Sequence, residues 1–358
     1  MIQPLPDRPL DLIGDVHGEL GALLNLLTHL GYRRDGSHPD DRRLVFVGDL
    51  CDRGPDSPGV IALVRSLVER GVAQAVLGNH ELNLLRNESK DGMGWWNPAR
   101  RPQDRHYGAV AQVIDEERQG IRQFLSGLPV ALQRDDLRVV HAAWSEAHIA
   151  KVAAAATAAP ELDTAEHDRR WDAEWHAYLS SSGAQLARER DEQQWAAQLE
   201  DPSATLPVLH AIAETDLARQ RINPLKLLTS GVERAVQTPF YAGHKWRFSQ
   251  RVTWWESYTD AVPVVVGHYW RLPPEPAHLP HPVSLDGLGD ELRGIAPTAW
   301  HGRRHNVFCI DYAVGARYRE RAVGHDGRAP SRFALGALRW PEREVVLDSG
   351  QRWATLQP

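Results

Sequence analysis

Asp15 and His17 stand in GDVHG, directly after a short apolar run, and alternate along the chain. A carboxylate and an imidazole at that spacing suit a borderline divalent cation. Asp49 and Asp52 stand in GDLCDRGPDS, after a second apolar run. A carboxylate has two oxygens, so Asp49 can bridge two cations. The planar donor fork of Arg53 matches phosphate oxygens. Asn79, His80 and Glu81 follow a third run, in GNHE. The Asn79 amide oxygen is a neutral ligand, and His80 is placed to give a proton or to hold a phosphate oxygen. His141 and His268 each end a later apolar run.

Taken singly, each group has a plain structural reading. Asn79 reads as a helix N-cap, Asp56 or Ser57 as caps of the next helix, and a lone histidine as a hydrogen-bonded strand-end residue. Taken as a set, the order Asp-x-His, Asp, Asn, His, His at strand ends sorts into two cation sites. One takes Asp15, His17 and a shared Asp49. The other takes Asp49, Asn79, His141 and His268. A bridging water completes both shells.

The elements that must position these groups follow from periodicity. Leu10 to Ile13 and Leu44 to Val47 read as strands, and Val72 to Leu77 as a third. Between them, Leu20, Leu23, Leu24, Leu27 and Leu30, then Val60, Ile61, Val64, Leu67 and Val68, recur at helical spacing. This β-α-β-α-β order predicts a largely parallel sheet, with ligands converging beyond the strand ends. Val262 to Val266 and Val307 to Ile310 read as further strands, the latter ending in Asp311. Phe333 to Trp340 and Glu344 to Leu347 read as a closing hairpin. Between about Lys151 and Gln220, runs such as KVAAAATAA carry strong helix formers, which predicts a helical insertion. Trp171, Trp175 and Trp195 are placed to pack a small core of its own.

The net charge of −6 gives no bulk attraction to nucleic acid or to an anionic membrane. No apolar stretch is long enough to span a bilayer. Two cysteines, Cys51 and Cys309, suggest no disulfide framework. A cytoplasmic protein is therefore the expectation, with neither membrane nor nucleic acid as partner.

GDVHG, GDLCDRG and GNHE, followed by two separated strand-end histidines, resemble the phosphoprotein phosphatase branch of the calcineurin-like metallophosphoesterases. That branch includes Ser/Thr protein phosphatases and symmetrical diadenosine tetraphosphatases. The likeness covers residues 9–145 closely and returns in VVVGHYW. It implies an α/β fold with two mixed β-sheets flanked by helices, here one domain over residues 1–358. The stretch 151–240 would be a mostly helical insertion or cap. It implies two divalent cations, with Mn expected and Fe or Zn also suited to the ligands. Asp15, His17, Asp49, Asn79, His141 and His268 would be the ligands. His80 would be the general acid, Asp52 its orienting partner, and Arg53, with Asn79, would bind phosphate.

The expected activity is hydrolysis of phosphate monoesters by a metal-bridging hydroxide, on a phosphorylated protein or small molecule. The alternative is a dinucleoside polyphosphate, whose bases Trp95-Trp96 or Trp254-Trp255 would stack, against core packing as those pairs' plainer role. A dead metal-binding scaffold is disfavoured, because no ligand is lost. Three points depart from the family pattern. His141-Ala142-Ala143 replaces a glycine-containing turn. His244 competes with His268 for the last ligand. Arg221, Arg247, Arg271 and Lys245 compete for the role of a second phosphate-binding cation.

Overall fold

The computed structural model describes residues 1–242, 245–275, 283–285, 290–324 and 330–356. Among these residues the strands form three sheets. One has the order β1 (Ile2–Pro4), β5 (Ala131–Arg134), β6 (Leu137–Val140), β9 (Val264–Val266), β10 (Val307–Cys309). The second runs β13 (Arg352–Ala354), β12 (Glu344–Leu347), β11 (Gly336–Trp340), β2 (Leu10–Ile13), β3 (Arg43–Phe46), β4 (Ala73–Ala75). The third is a hairpin of β7 (Glu233–Ala242) and β8 (Lys245–Arg251). β2, β3 and β4 are parallel, as the β-α-β-α-β reading requires, and β11 joins β2 antiparallel. Both larger sheets are therefore mixed.

The two larger sheets pack face to face through alternate residues. Leu10, Leu12, Val45 and Leu338 from one meet Leu132, Val139, Val265 and Phe308 from the other. All eight are fully buried, and each such side chain contributes roughly 1.5–3 kcal/mol. The residues between them, such as Leu44, Phe46, Val264 and Val266, point outward under helices.

α1 (Leu20–Leu30) buries Ala22, Leu23, Leu26 and Leu30 and stops at Gly31 in the left-handed region. α2 (Ser57–Glu69) starts where the Asp56 side chain accepts from Gly59 N at 2.8 Å, as the sequence suggested for Asp56. α3 (Asn79–Leu85) and α4 (Asp115–Ser126) follow. The segment between the His141 and His268 strands holds α5 (Glu146–Ala158), α6 (Thr164–Ser181), α7 (Ala184–Gln194), α8 (His210–Ile222) and α9 (Pro224–Ser230), then the hairpin. The hairpin's first strand falls within the stretch expected to be mostly helical. The insertion's tryptophans also divide. Trp171 packs into the main core, Trp195 packs with Leu206, Leu209, Ile212 and Phe248, and Trp175 lies under Arg219. α10 (Arg317–Ala322) follows β10. Among the described residues no helix is long and apolar enough to cross a membrane.

Candidate metal centre

Asp15, His17, Asp49, Asn79, His80, His141 and His268 all converge beyond the ends of β2, β3, β4, β6 and β9. Asp49 sits at the middle. Its Oδ2 lies 3.7 Å from His17 Nε2, 3.8 Å from His80 Nε2 and 3.4 Å from His141 Nε2. Two clusters share it, one with His17 and His80 and one with His141 and His268. Burial alone would raise the Asp49 carboxyl. The imidazoles of His141, His80 and His17 outweigh burial and hold it well below the usual carboxylate range.

The backbone is bent to achieve this. His17, Asp49, Asp52, Arg53 and His268 all have positive φ, from 46° to 73°. They are half of the ten non-glycine residues with positive φ among the described residues. Each such conformation costs on the order of 1–3 kcal/mol and persists only where the surroundings enforce it. Ordinary turns would use glycine or asparagine here.

Each histidine's free nitrogen is fixed by what the other nitrogen holds. His17 Nδ1 donates to Cys51 O at 3.0 Å, and His141 Nδ1 donates to Val47 O at 2.8 Å. Their Nε2 lone pairs are thereby turned into the crevice. Burial and the Arg53 charge keep His17 well below the ordinary histidine range, the neutral state that a ligand needs. Burial, then Arg251 and His141, do the same for His268, whose Nε2 has no hydrogen-bond partner among the described residues.

Asn79 is the first residue of α3, and Gly78, not Asn79, is the cap. One end of its amide lies 2.9 Å from His268 Nδ1 and 3.2 Å from both His141 Nε2 and Thr229 O. With oxygen at that end, lone pairs face lone pairs, and a cation between them satisfies all. With the amide reversed, the same contacts are ordinary hydrogen bonds.

Asp15 accepts from His268 N at 3.1 Å and lies beside Asp311, a buried carboxylate at the end of β10. Burial first, then Asp311 and Asp49, push Asp15 well above the carboxylate range, and burial pushes Asp311 up to about 6. Crowded acids of this kind bind a cation in place of a proton. The donor set therefore fits two divalent ions. Asp311 ends an apolar run just as the other candidate ligands do, so the signal for it was present in the sequence. Its Oδ2 has no hydrogen-bond partner among the described residues.

His80 is held differently. Its Nδ1 meets Asp52 Oδ2 at 2.5 Å, and Asp52 Oδ1 accepts from Trp95 Nε1 at 2.6 Å. Nε2 is left facing Asp49 and the crevice. Arg53 Nη1 donates to His17 Nε2 at 2.8 Å, and its guanidinium stacks 4.8 Å over Trp270. Nη1 thus occupies the lone pair that a cation needs, so Arg53 must turn from His17 for both to act as expected.

Glu81 carries the scaffold. Its carboxylate accepts from the backbone N–H groups of Asp49, Leu50, Cys51 and Gly78 at 2.8–3.3 Å, tying the β3 loop to α3. Glu81→Ala leaves buried donors unpaired at about 1–3 kcal/mol each. We expect its urea unfolding midpoint to fall further than that of an average substitution, which costs about 1 kcal/mol. An unchanged midpoint would remove Glu81 from this role.

His141-Ala142-Ala143 needs no glycine, because neither alanine has positive φ. Both alanine N–H groups donate to Leu228 O of α9, at 2.9 and 3.3 Å. Gly267 is different: a Cβ there would meet Asp15 Oδ1 at 1.9 Å. Gly267→Ala should therefore lower bound metal from two equivalents towards one, read by metal titration. Two retained equivalents would show that Asp15 can move freely.

Among the second-cation candidates, Arg271 donates to Cys309 O and Ala296 O, and Arg221 pairs with Glu214. Neither points at the site. Arg251, which no local pattern marks, is the cation whose charge acts most on His268. His244 lies outside the described residues. Trp95, Trp96, Trp254 and Trp255 are all buried, as core packing requires.

The calcineurin-like phosphoesterase family matches residues 8–147, which hold all of these groups except those after His141. Over those residues the chain is similar to calcineurin-like phosphoesterases. Its curated relatives include two asymmetrical bis(5'-nucleosyl)-tetraphosphatases. That of Geobacillus sp. (strain WCH70) is 49% identical over 80 residues, 22% of this chain and 33% of the relative. That of Halalkalibacterium halodurans is 51% identical over 79 residues, 21% and 32%. The chain thus spans about a third of the length of the curated relatives it matches. A solved cold-active protein-tyrosine phosphatase of a Shewanella species aligns over 99% of this chain and 83% of its own, at 17% identity and TM-score 0.45. The calcineurin-like family uses divalent metal ions, and it is the metallophosphoesterase part of the sequence expectation that the family match supports.

Proposed function

We propose that this calcineurin-like chain is a two-metal phosphoesterase acting on a nucleotide polyphosphate. Asp15, His17 and Asp49 hold one cation, and Asp49, Asn79, His141 and His268 the other. The observation that carries this is Asp49, one carboxylate ringed by three imidazole nitrogens within 3.8 Å. Bound there, two divalent cations supply a nucleophilic hydroxide at neutral pH and offset charge on the phosphate. Arg53, which meets His17, and Arg251, whose charge acts on His268, are the cations that would hold the phosphate oxygens. His80 Nε2, oriented by Asp52, gives its proton to the leaving oxygen. Mn is the first metal to try, given the mixed oxygen and nitrogen donors.

The polyphosphate substrate is supported by the relatives' names and by the aromatic rim beside Arg53. Tyr318 and Trp270 are half-buried there, Tyr318 backed by the buried Tyr107 at 4.5 Å between ring centroids and Trp270 lying under Arg53 and Arg319. Such faces suit nucleobases. The second reading is a phosphomonoester, favoured by the His80–Asp52 pair, because an alkoxide leaving group needs a proton more than a phosphate does. The whole chain acts as one domain with 151–240 as its cap, in the cytoplasm. Both thiols are free and buried, in keeping with a reducing compartment.

Chelator-stripped protein should be inactive and regain turnover of diadenosine tetraphosphate on adding Mn²⁺, faster than turnover of phosphopeptides. Preference for phosphopeptides would favour the second reading. No turnover of either with any divalent metal would overturn the proposal.

A further inference from the structure

We propose that the β7–β8 hairpin and α9 form a cation track that takes the distal phosphates of a polyphosphate chain whose reacting phosphate lies at the metals. The inference deepens the nucleotide-polyphosphate reading and rests on it. It starts from strand alternation. Arg247, Ser249 and Arg251 sit at alternate positions of β8 and share one face. Phe248, on the other face, is buried against Leu206, Leu209, Ile212 and Ala213 of the insertion. The arginine face therefore points away from the insertion's own core. Its Arg251 end lies by His268.

Lys226 of α9 adds to this row. The charges that act on it are those of Glu233, Arg86, Arg219 and Arg251. Its hydrogen bond to Ser230 Oγ is a long one, 3.4 Å from Nζ. Arg247 donates through Nε to Ala242 O at 3.0 Å, and Arg251 is 3.9 Å from Glu291. Of the carboxylates around the row, Glu233 already accepts from Ser249 Oγ at 2.6 Å, and Asp216, which also acts on Arg247, is paired with Arg188 at 2.7 Å. Neighbouring cations are matched closely. Arg86 has Asp168, Arg219 has Asp172 and Arg188 has Asp216, each at 2.7 Å. Lys226, Arg247 and Arg251 are the under-neutralised set. Burial first, with the nearby cations, lowers Lys226 to about 8 and also lowers Arg247. A polyanion laid along the row reverses that penalty.

Length selects the ligand. Four residues of strand separate Arg251 from Arg247, about 13 Å of rise. One phosphate at the metals does not reach along the row, whereas each further phosphate of a chain carries negative charge closer to Arg247, whose long side chain closes the remaining distance. The class of substrate is therefore a linear polyphosphate bearing organic ends.

The test uses full-length protein with Mn²⁺ and the variants Lys226→Met and Arg247→Ala. Inorganic tripolyphosphate and orthophosphate are compared as inhibitors of 4-nitrophenyl phosphate hydrolysis. Each variant should weaken tripolyphosphate by about tenfold to a hundredfold, as loss of a charged hydrogen bond does. Orthophosphate inhibition and the 4-nitrophenyl phosphate kcat/KM should stay within about twofold, since neither reaches Lys226 or Arg247. Equal change for both anions, or change for neither, overturns the track. If the wild type turns over no phosphate ester, the functional reading fails separately. Calorimetric binding of tripolyphosphate to chelator-treated wild type and variants then decides the track alone: loss in the variants supports it, and equal binding or none overturns it.

Discussion

Asp49→Asn should reduce turnover by on the order of 10³-fold or more, because it removes the one group that both cation sites share. It should also release metal. Asn keeps one oxygen, so the acceptor for His80 N at 3.0 Å can survive and the fold should stand. What it loses is the charge that three imidazoles surround. Circular dichroism should be unchanged while metal titration falls below two equivalents. Full metal content with full activity would remove Asp49 from the centre of the scheme. The charge has a second consequence. Burial would lower His141, but Asp49 outweighs it and holds His141 above the ordinary histidine range. A raised pKa means that a proton competes with the cation already at mildly acidic pH. Mn²⁺ affinity in the wild type should therefore weaken as pH falls through the histidine range, starting higher than for a free imidazole. Affinity that stays flat from neutral pH down past that range would contradict this.

The candidate ligands could be picked out in the sequence because they obey a local rule. An apolar strand needs no partner in sequence to be seen, and Asp15, Asp49, Asn79, His141 and His268 each stand where one stops. The sheet order was legible for the same reason, since β2-α1-β3-α2-β4 alternates at two clear periods. Groups that act across the fold left no such trace. Arg251 is one basic residue on a half-exposed hairpin, and only the hairpin's placement beside His268 gives it meaning. Trp95 looked like half of an aromatic pair, yet its indole N–H fixes Asp52 from 43 residues away. Glu81 looked like a first-turn acid, and it does reach back to Gly78 N. Its three bonds to the β3 loop required the two strand ends to be adjacent. The positive φ of His17 and His268 was also unreadable, because that conformation is uncommon for any single non-glycine residue, histidine included. Those angles are imposed by packing, and a one-residue pattern does not encode them.

His80→Asn should lower kcat by about 10²–10⁴-fold on substrates with poor leaving groups, the usual range for loss of a general acid. The size of the effect should track the leaving group. 4-Nitrophenolate leaves readily without a proton, so an aryl phosphate should lose far less than an alkyl phosphate. Asp52→Asn should show the same ordering at smaller size. It keeps a side chain at 2.5 Å from Nδ1 but removes the carboxylate that fixes which ring nitrogen faces the crevice. The amide oxygen of that variant can still accept from Trp95 Nε1, so the loop need not move. The contrast separates proton donation from architecture. If His80 or Asp52 served only to shape the crevice, their variants would slow every substrate alike, and KM and metal content would change with kcat. A loss confined to kcat, steep for alkyl and shallow for aryl leaving groups, requires that the proton pass through His80 Nε2. It also reports on the natural substrate: if diadenosine tetraphosphate proves as insensitive to His80→Asn as the aryl ester, a phosphate leaves from this site, and the acid is kept for some other ester.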